Sequence, residues 1–437
     1  MKLNYKRTIL VGFAFFLISA FWGAYDAIVP KILTNLYHMK QSMSGLIMSF
    51  DNILAVVMLP LFGAASDKVQ SKWGKRTPFI FFGTCCAVAF FILLGTIQSV
   101  DLLWLFIVVL LLTLISMATF RSPAVALMPD VTLKPLRSKG NAIINLMGTA
   151  GGILVLVFGI IFKTGAEGKT NFLDYIIAVC ALMMFGLIIF LLTVREPRWA
   201  AEMEAETERL GLNQEEAATA EVTKGGEQQP QKRGLSFGEK CSLFLILASV
   251  ALWYIGYNAV TSKYSVYAEQ VLHVDFNTTL IVAQAAAIVS YIPVGIISSK
   301  VGRKKAILTG IVMLTTAFVI AIFLKNVSSE PMMFPIFALA GIGWATINVN
   351  SFPMVVELAK LGDTGKYTGY YYTASMSAQI VTPILSGFLI DRIGWDIFFP
   401  YAALFAALSF VTMLFVKHGD SKPEAKKSVL EALDVED

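Results

Sequence analysis

The sequence predicts an all-α membrane protein: twelve transmembrane helices in two pseudo-symmetric six-helix bundles. Three observations carry that reading. The first is composition. Of 437 residues, 56% are hydrophobic and 15% are charged, against about 25% charged in an average soluble protein. So few charges cannot cover a soluble surface. The second is spacing: twelve apolar runs stand six on each side of a single long hydrophilic gap. The third is charge asymmetry. With the N-terminus inside, 27 of the 35 Lys and Arg fall in inner segments and 6 in outer ones, the bias that orients membrane helices.

A helix that crosses a bilayer needs roughly 20 mostly apolar residues. Such runs occur near 9–33, 44–66, 78–98, 102–127, 141–162 and 173–194, then near 241–268, 278–299, 306–325, 332–356, 367–390 and 396–416. They must be helical, because each unpaired backbone group in lipid costs several kcal/mol. Barrel strands would alternate polar and apolar residues, and these runs are apolar all round. The basic start (Lys2, Lys6, Arg7) leads into a run too long for a signal-peptide core, so it reads as a first transmembrane helix and not a removed signal. The gap from Arg195 to Lys240 is rich in Glu, Gln, Lys and Ala. A surface helix is expected over 199–220 and disorder in the remainder. The organisation is therefore a bundle over 1–194, a cytoplasmic linker over 195–240, a second bundle over 241–416 and a polar tail over 417–437. Both termini are expected in the cytoplasm, and the protein in the cell membrane as a monomer.

Other function classes lose support on residue content. There are three His and four Cys, with no C-x-x-C or H-E-x-x-H spacing, so no zinc or iron–sulfur site is expected. No G-x-x-x-x-G-K-[ST] loop supports ATP-driven pumping. No nucleophile–base constellation suggests an enzyme, and no cofactor is implied. The formal net charge of +5 is spread over loops, which is no footprint for nucleic acid.

Two loops repeat. Gly63-Ala-Ala-Ser-Asp67-Lys68, followed by Gly74-Lys75-Arg76, matches Gly295-Ile-Ile-Ser-Ser299-Lys300-Val-Gly302-Arg303-Lys304-Lys305 at the same place in each half. Glycines on the fifth run (Gly148, Gly151, Gly152, Gly159) and the eleventh (Gly369, Gly387) permit close helix contact. With the six-plus-six layout, these loops resemble the major facilitator superfamily. The longer first loop, ending Gly74-Lys75-Arg76-Thr-Pro78-Phe79, and the block Pro123-Ala124-Val125-Ala126-Leu127-Met128-Pro129-Asp130 resemble the glycoside–pentoside–hexuronide porters and the related sucrose-porter-like branch. That resemblance implies cation-coupled symport of a sugar or glycoside. This sequence departs from it at two places. Where melibiose-type porters carry paired aspartates it has Ala55 and Leu59, and where plant sucrose porters carry an Arg it has Val125. Coupling would then use a shifted set of residues. A proton is the expected coupling ion, with sodium as the alternative.

Charges inside the apolar runs are the main lever on function, since each costs about 2.5–3.5 kcal/mol at the bilayer centre on insertion scales. Asp26 shares a helix face with Trp22. It is a candidate proton carrier and sugar ligand, unless it ends a helix in water or pairs with Lys31. Asp51 is a second candidate carboxylate or a polar helix contact. Arg121 is the natural partner of either, and protonation of the carboxylate would release the pair. Lys263 could snorkel to the outer interface or face the cleft, while Glu269 reads as near the outer surface. Aromatic faces and forked hydrogen bonds suit a sugar. Trp22, Tyr25, Asn145, Tyr257, Asn258, Gln284, Trp344, Asn348, Asn350, Tyr371 and Gln379 are available for them. Asp67, Arg76, Asp130, Arg303 and Glu357 form a candidate inner gate, in which Asp130 and Glu357 pair with basic loop residues such as Arg76 or Arg303 and salt bridges exchange as the halves rock. The rival readings are an exporter of drugs or metabolites on the same scaffold, and a non-transporting membrane sensor or scaffold.

Overall fold

The computed structural model describes residues 3–98, 102–133, 136–210, 236–323, 330–358 and 364–419. Among them the regular elements are all helical. In the first half, α1 (Tyr5–Lys31) continues as a π-helical turn over Ile32–Leu36. Then follow α2 (Gln41–Met48), α3 (Phe50–Lys68), α4 (Thr77–Ile97), α5 (Leu103–Asp130), α6 (Arg137–Ile161) and α7 (Leu173–Thr193), with α8 (Glu196–Arg209) outside the apolar runs. In the second half, α9 (Phe237–Tyr267) continues as a π-helical turn over Ala268–Leu272. It is followed by α10 (Phe276–Val301), α11 (Arg303–Phe323), α12 (Glu330–Val356), α13 (Thr364–Ile393) and α14 (Phe398–Leu414).

Eleven described stretches are long and apolar enough to span a bilayer, with α2 and α3 together forming one of them. Helix α10, whose apolar stretch is the shorter Phe276–Tyr291, takes the twelfth place. Large apolar side chains such as Val57, Phe82, Leu192 and Phe323 stand exposed on the perimeter, where lipid is the solvent. The surface helix expected over 199–220 is present as α8, which starts earlier and runs to Arg209. Residues 211–235 of the linker and the tail from 420 lie outside the described residues, and 237–240 of the linker belong to α9.

The two halves repeat one design. Helix α1 packs on α6 and α7, and α4 on α5; correspondingly α9 packs on α14 and α13, and α11 on α12. Each half begins with a long helix that ends in a π turn, followed by a left-handed histidine: His38 (φ 49°) and His273 (φ 54°). Each half also carries an ion pair spanning 54 residues, Arg76 to Asp130 and Arg303 to Glu357. Small residues set the closest approaches. A Cβ on Gly151 would lie 2.6 Å from the Phe16 carbonyl oxygen, so α6 meets α1 backbone to backbone only because that position is glycine.

Among the described residues the halves meet where α1 packs on α9, α6 on α10, and α2 and α3 on α13. The short α2 exists because the second apolar run breaks at Ser49. The Ser49 hydroxyl donates to Gly45 O (2.8 Å) and to Ile380 O of α13 (2.9 Å). The composition of that run gave no sign of this break. At one end of the molecule Arg7 meets Glu202 of α8, and His418 meets Ser242 of α9. This end therefore holds both described chain ends and is called the terminal end below.

Candidate functional site

A cavity of about 630 Å³ lies between the halves. The first half supplies Trp22 and Asp26 from α1, Arg121 from α5 and Asn145 from α6; the second supplies Tyr257 from α9, Gln284 from α10 and Trp344 from α12. Asp26 is exposed in the cavity and lies within electrostatic range of Asp51 and of Tyr257 across the cleft. The Arg121 guanidinium sits over the Trp22 ring, 5.5 Å from its centroid, close enough for a cation–π contact. Asp51 does not line the cavity. Its carboxylate accepts the Asn52 backbone N–H (2.6 Å) and side-chain amide (2.8 Å), within range of Arg121. On the facing wall Tyr257 and Trp344 stack with ring centroids 6.0 Å apart and 24° between planes, and Tyr291 tilts against Trp344 at 6.4 Å. Gly152 leaves the opening through which Gln284 reaches α6, its Oε1 3.6 Å from where a Cβ would stand.

Several residues expected at this site lie elsewhere. Tyr25 is fully buried behind Trp22, stacked on Phe21 at 6.0 Å. Asn348 and Asn350 are buried within α12, where Asn350 Nδ2 donates to Thr346 O (2.9 Å), and Tyr371 shares a hydrogen bond with Ser351 (3.0 Å). Asn258 and Gln379 are half-buried and outside the cavity lining. Four residues after Trp344, which lines the cavity, Asn348 is buried and does not line it.

Lys263 takes neither placement expected of it. It is completely buried, and its ammonium donates to Gln41 O of α2 (2.6 Å). Gln41, the first residue of α2, thus offers a carbonyl to a cation that lipid could not hold. The α2 N-terminus is in turn capped from the other half: Asp391 accepts the N–H groups of Gln41 (2.8 Å) and Ser42 (2.9 Å). Glu269, expected near the outer surface, is also buried. It pairs with Lys31 at 2.7 Å, accepts both oxygens' worth of hydrogen bonds from Asn35 Nδ2 (2.9 and 3.0 Å), and accepts Gly168 N–H (2.7 Å). Lys31 is thereby engaged with Glu269 and not with Asp26. Asn277 Nδ2 adds a bond to Thr164 (2.9 Å). These contacts all cross between the halves at the end opposite the termini, and they seal it. Sequence reasoning missed this seal. Opposite charges at matching ends of the first and seventh runs, Lys31 and Glu269, were the available signal.

At the terminal end the charged residues pair inside their own halves. Arg76 donates to Asp130 (2.8 Å), Asp67 and Ser66. Burial works against its charge, but Asp130 and then Asp67 hold its pKa above the ordinary arginine value. Glu196, at the start of α8, accepts the N–H groups of Lys75 (2.6 Å), Arg76 (2.9 Å) and Thr77 (2.8 Å). In the second half Arg303 pairs with Glu357. Asp130 and Glu357 thus pair with the basic loop residues expected of them, Arg76 and Arg303, each pair within its own half.

Two parallel-repeat helical bundles with a polar, charged cleft between them are the architecture of a secondary transporter. The comparisons with known proteins agree. The family model of the Major Facilitator Superfamily matches residues 11–382 and 276–433, and the chain belongs to that superfamily. It is a multi-pass integral membrane transporter and not an enzyme. An uncharacterized MFS-type transporter of Methanocaldococcus jannaschii is 24% identical over 425 residues, covering 94% of this chain and 95% of its own. The chloramphenicol resistance protein CraA of Acinetobacter baumannii is 30% identical over 118 residues, 27% of this chain and 28% of its own. Among solved structures, the inward-open xylose transporter XylE from E. coli superposes with a TM-score of 0.66 at 14% identity, over 98% of this chain and 99% of its own. The nucleoside transporter NupG superposes with a TM-score of 0.65 at 16% identity, over 94% and 100%.

Proposed function

We propose that the protein imports a sugar or glycoside by proton-coupled symport, through alternating access of one central site. The observation that carries this is the make-up of the cavity. One wall holds an exposed carboxylate, Asp26, with Arg121 over Trp22; the other holds stacked Tyr257 and Trp344 with Gln284. Aromatic faces and amide forks suit hydroxylated rings, and the carboxylate can carry the coupled proton between sides. The lysine and arginine bias assigns the terminal end to the cytoplasm, so the sealed end faces out and this conformation is inward-facing. The segment 195–240 then joins two cytoplasmic bundle ends.

Transport proceeds as follows. With the outer end open, Asp26 takes a proton and the sugar docks between Trp22 and Trp344. Neutralising Asp26 lets Arg121 turn to the remaining carboxylate, Asp51. The halves close over the sugar through Lys31–Glu269 and Lys263–Gln41, and the proton and sugar leave inward.

The test is uptake of labelled sugars by proteoliposomes under imposed proton or sodium gradients. The parent concentrates sugar with an inward proton gradient, and Asp26→Asn loses accumulation while keeping sugar exchange. If Asp26→Asn accumulates sugar as the parent does, the coupling assignment fails. A local likeness to a chloramphenicol resistance protein favours a second reading, export of a drug-like compound. Proton-driven efflux of chloramphenicol, with no sugar uptake, would establish it.

A further inference from the structure

The central cavity does not end at its polar walls. It continues into the second half toward the sealed end, between α9, α11, α12 and α14. Phe318 and Ala321 of α11, Ile336 and Phe337 of α12, and Phe399 of α14 line it there, and all five are buried hydrophobics. Phe399 packs edge-on against Tyr267 at 5.2 Å, beside the π turn that carries Glu269. This branch therefore reaches the underside of the seal. Two neighbouring residues of α9 with hydroxyls, Tyr264 and Ser265, interrupt its wall. Ser265 is 4% exposed, lines the cavity, and its hydroxyl has no hydrogen-bond partner. A buried serine on a helix ordinarily donates to a carbonyl one turn back, and leaving a hydroxyl unpaired costs about 1–3 kcal/mol. The neighbouring wall residue Tyr264, by contrast, shares a hydrogen bond with Thr279 of α10 behind it at 2.7 Å.

We infer that this branch is an apolar subsite for a hydrophobic substituent of the substrate, so that the transported species is an aryl or alkyl glycoside, with Ser265 meeting an oxygen at the join between the sugar and the substituent. The inference rests on the sugar-transport reading above and narrows it. Size supports it: a volume of about 630 Å³ lies in the range that encloses drug-sized ligands, with predominantly apolar walls and a few convergent polar groups. Chemistry supports it too. A bare hexose would turn hydroxyls toward five apolar side chains and leave them unpaired, whereas a ring-bearing substituent gains about 25 cal/mol for each Å² it buries.

The experiment uses the full chain in proteoliposomes and compares uptake of three labelled compounds sharing one sugar: the free hexose, its methyl glycoside and its 4-nitrophenyl glycoside, with glucose, galactose and glucuronate as the sugars. For the sugar that is accepted, the nitrophenyl glycoside is expected to show an uptake efficiency at least about tenfold above the free hexose. Ala321→Phe fills the branch and collapses that ratio to near one. Phe337→Ala, which enlarges the branch, is a second check and shifts preference toward bulkier substituents. Equal uptake of hexose and nitrophenyl glycoside by the parent overturns the subsite, as does an unchanged ratio in a folded Ala321→Phe protein, and both leave sugar transport standing. Absence of transport for all nine compounds overturns the sugar reading and the subsite together.

Discussion

At the scale of single residues, Arg121 is the side chain whose chemistry is least replaceable. It lines the cavity, lies over Trp22 and stands within range of Asp51. A guanidinium can stack on the indole and present a planar fork to a carboxylate at once, which an ammonium cannot do. Arg121→Lys keeps the charge and is expected to lower transport by about tenfold or more, with normal amounts of folded protein by size-exclusion profile. Wild-type rates in that variant would mean that Arg121 acts only as a charge. The sequence made such residues conspicuous, because charge in an apolar run is costly. It did not say which way each one points. Asp26, Lys263 and Glu269 are alike in the sequence as charges in or beside apolar runs, yet one faces the cavity and two build the seal. That division depends on helix rotation and on which backbone carbonyl of the other half comes within reach, as that of Gln41 does for Lys263.

At the scale of elements, the helices were legible because apolar run length is nearly the whole physics of a bilayer span. The breaks were not. The interruption at Ser49 depends on a hydrogen bond to Ile380, more than three hundred residues away. The paired π turns at Ile32–Leu36 and Ala268–Leu272 leave composition unchanged. Glycine positions were readable, but not the partner each one serves. Gly151 faces the Phe16 carbonyl of α1, and Gly45 faces the backbone of Pro383 in the other half. Gly151→Val forces α1 and α6 apart, and overpacking of this kind costs about 1–3 kcal/mol. A fall in the melting temperature of the detergent-purified protein is therefore expected, whatever the substrate. An unchanged melting temperature would show that α1 can retreat without loss. Glu196→Gln belongs at this scale too. The carboxylate of α8 collects the N–H groups of Lys75, Arg76 and Thr77 at the start of α4, and charge-assisted bonds of this type are roughly twice as strong as neutral ones. Limited proteolysis of the linker should become faster in Glu196→Gln if those bonds hold α8 to the first half.

At the scale of the whole molecule, the seal decides which side of the membrane the cavity serves. Lys31 and Glu269 are both almost fully buried, and the pair bridges the halves. Removing one partner of such a pair leaves an uncompensated charge and costs about 3–5 kcal/mol, whereas replacing both by apolar residues is often neutral or better. The cost falls on the sealed conformation alone, since opening this end would return the remaining charge to water. Shifting a two-state population from 1:99 to 99:1 takes about 5.5 kcal/mol, so losing one partner moves most of that distance. A cysteine at Thr261, which lines the cavity, reports the outcome in a background where the four native cysteines are serine. In that background, Glu269→Gln is expected to raise labelling of Thr261→Cys by a membrane-impermeant maleimide added at the sealed side, by about a hundredfold. Replacing Lys31 and Glu269 together by methionine should return labelling to the parental rate. A double variant as open as the single one would mean that the pair does more than neutralise itself, and that attraction across the cleft drives closure. Labelling unchanged in both would assign the seal to Lys263, Asp391 and the close contact of α2 with α13.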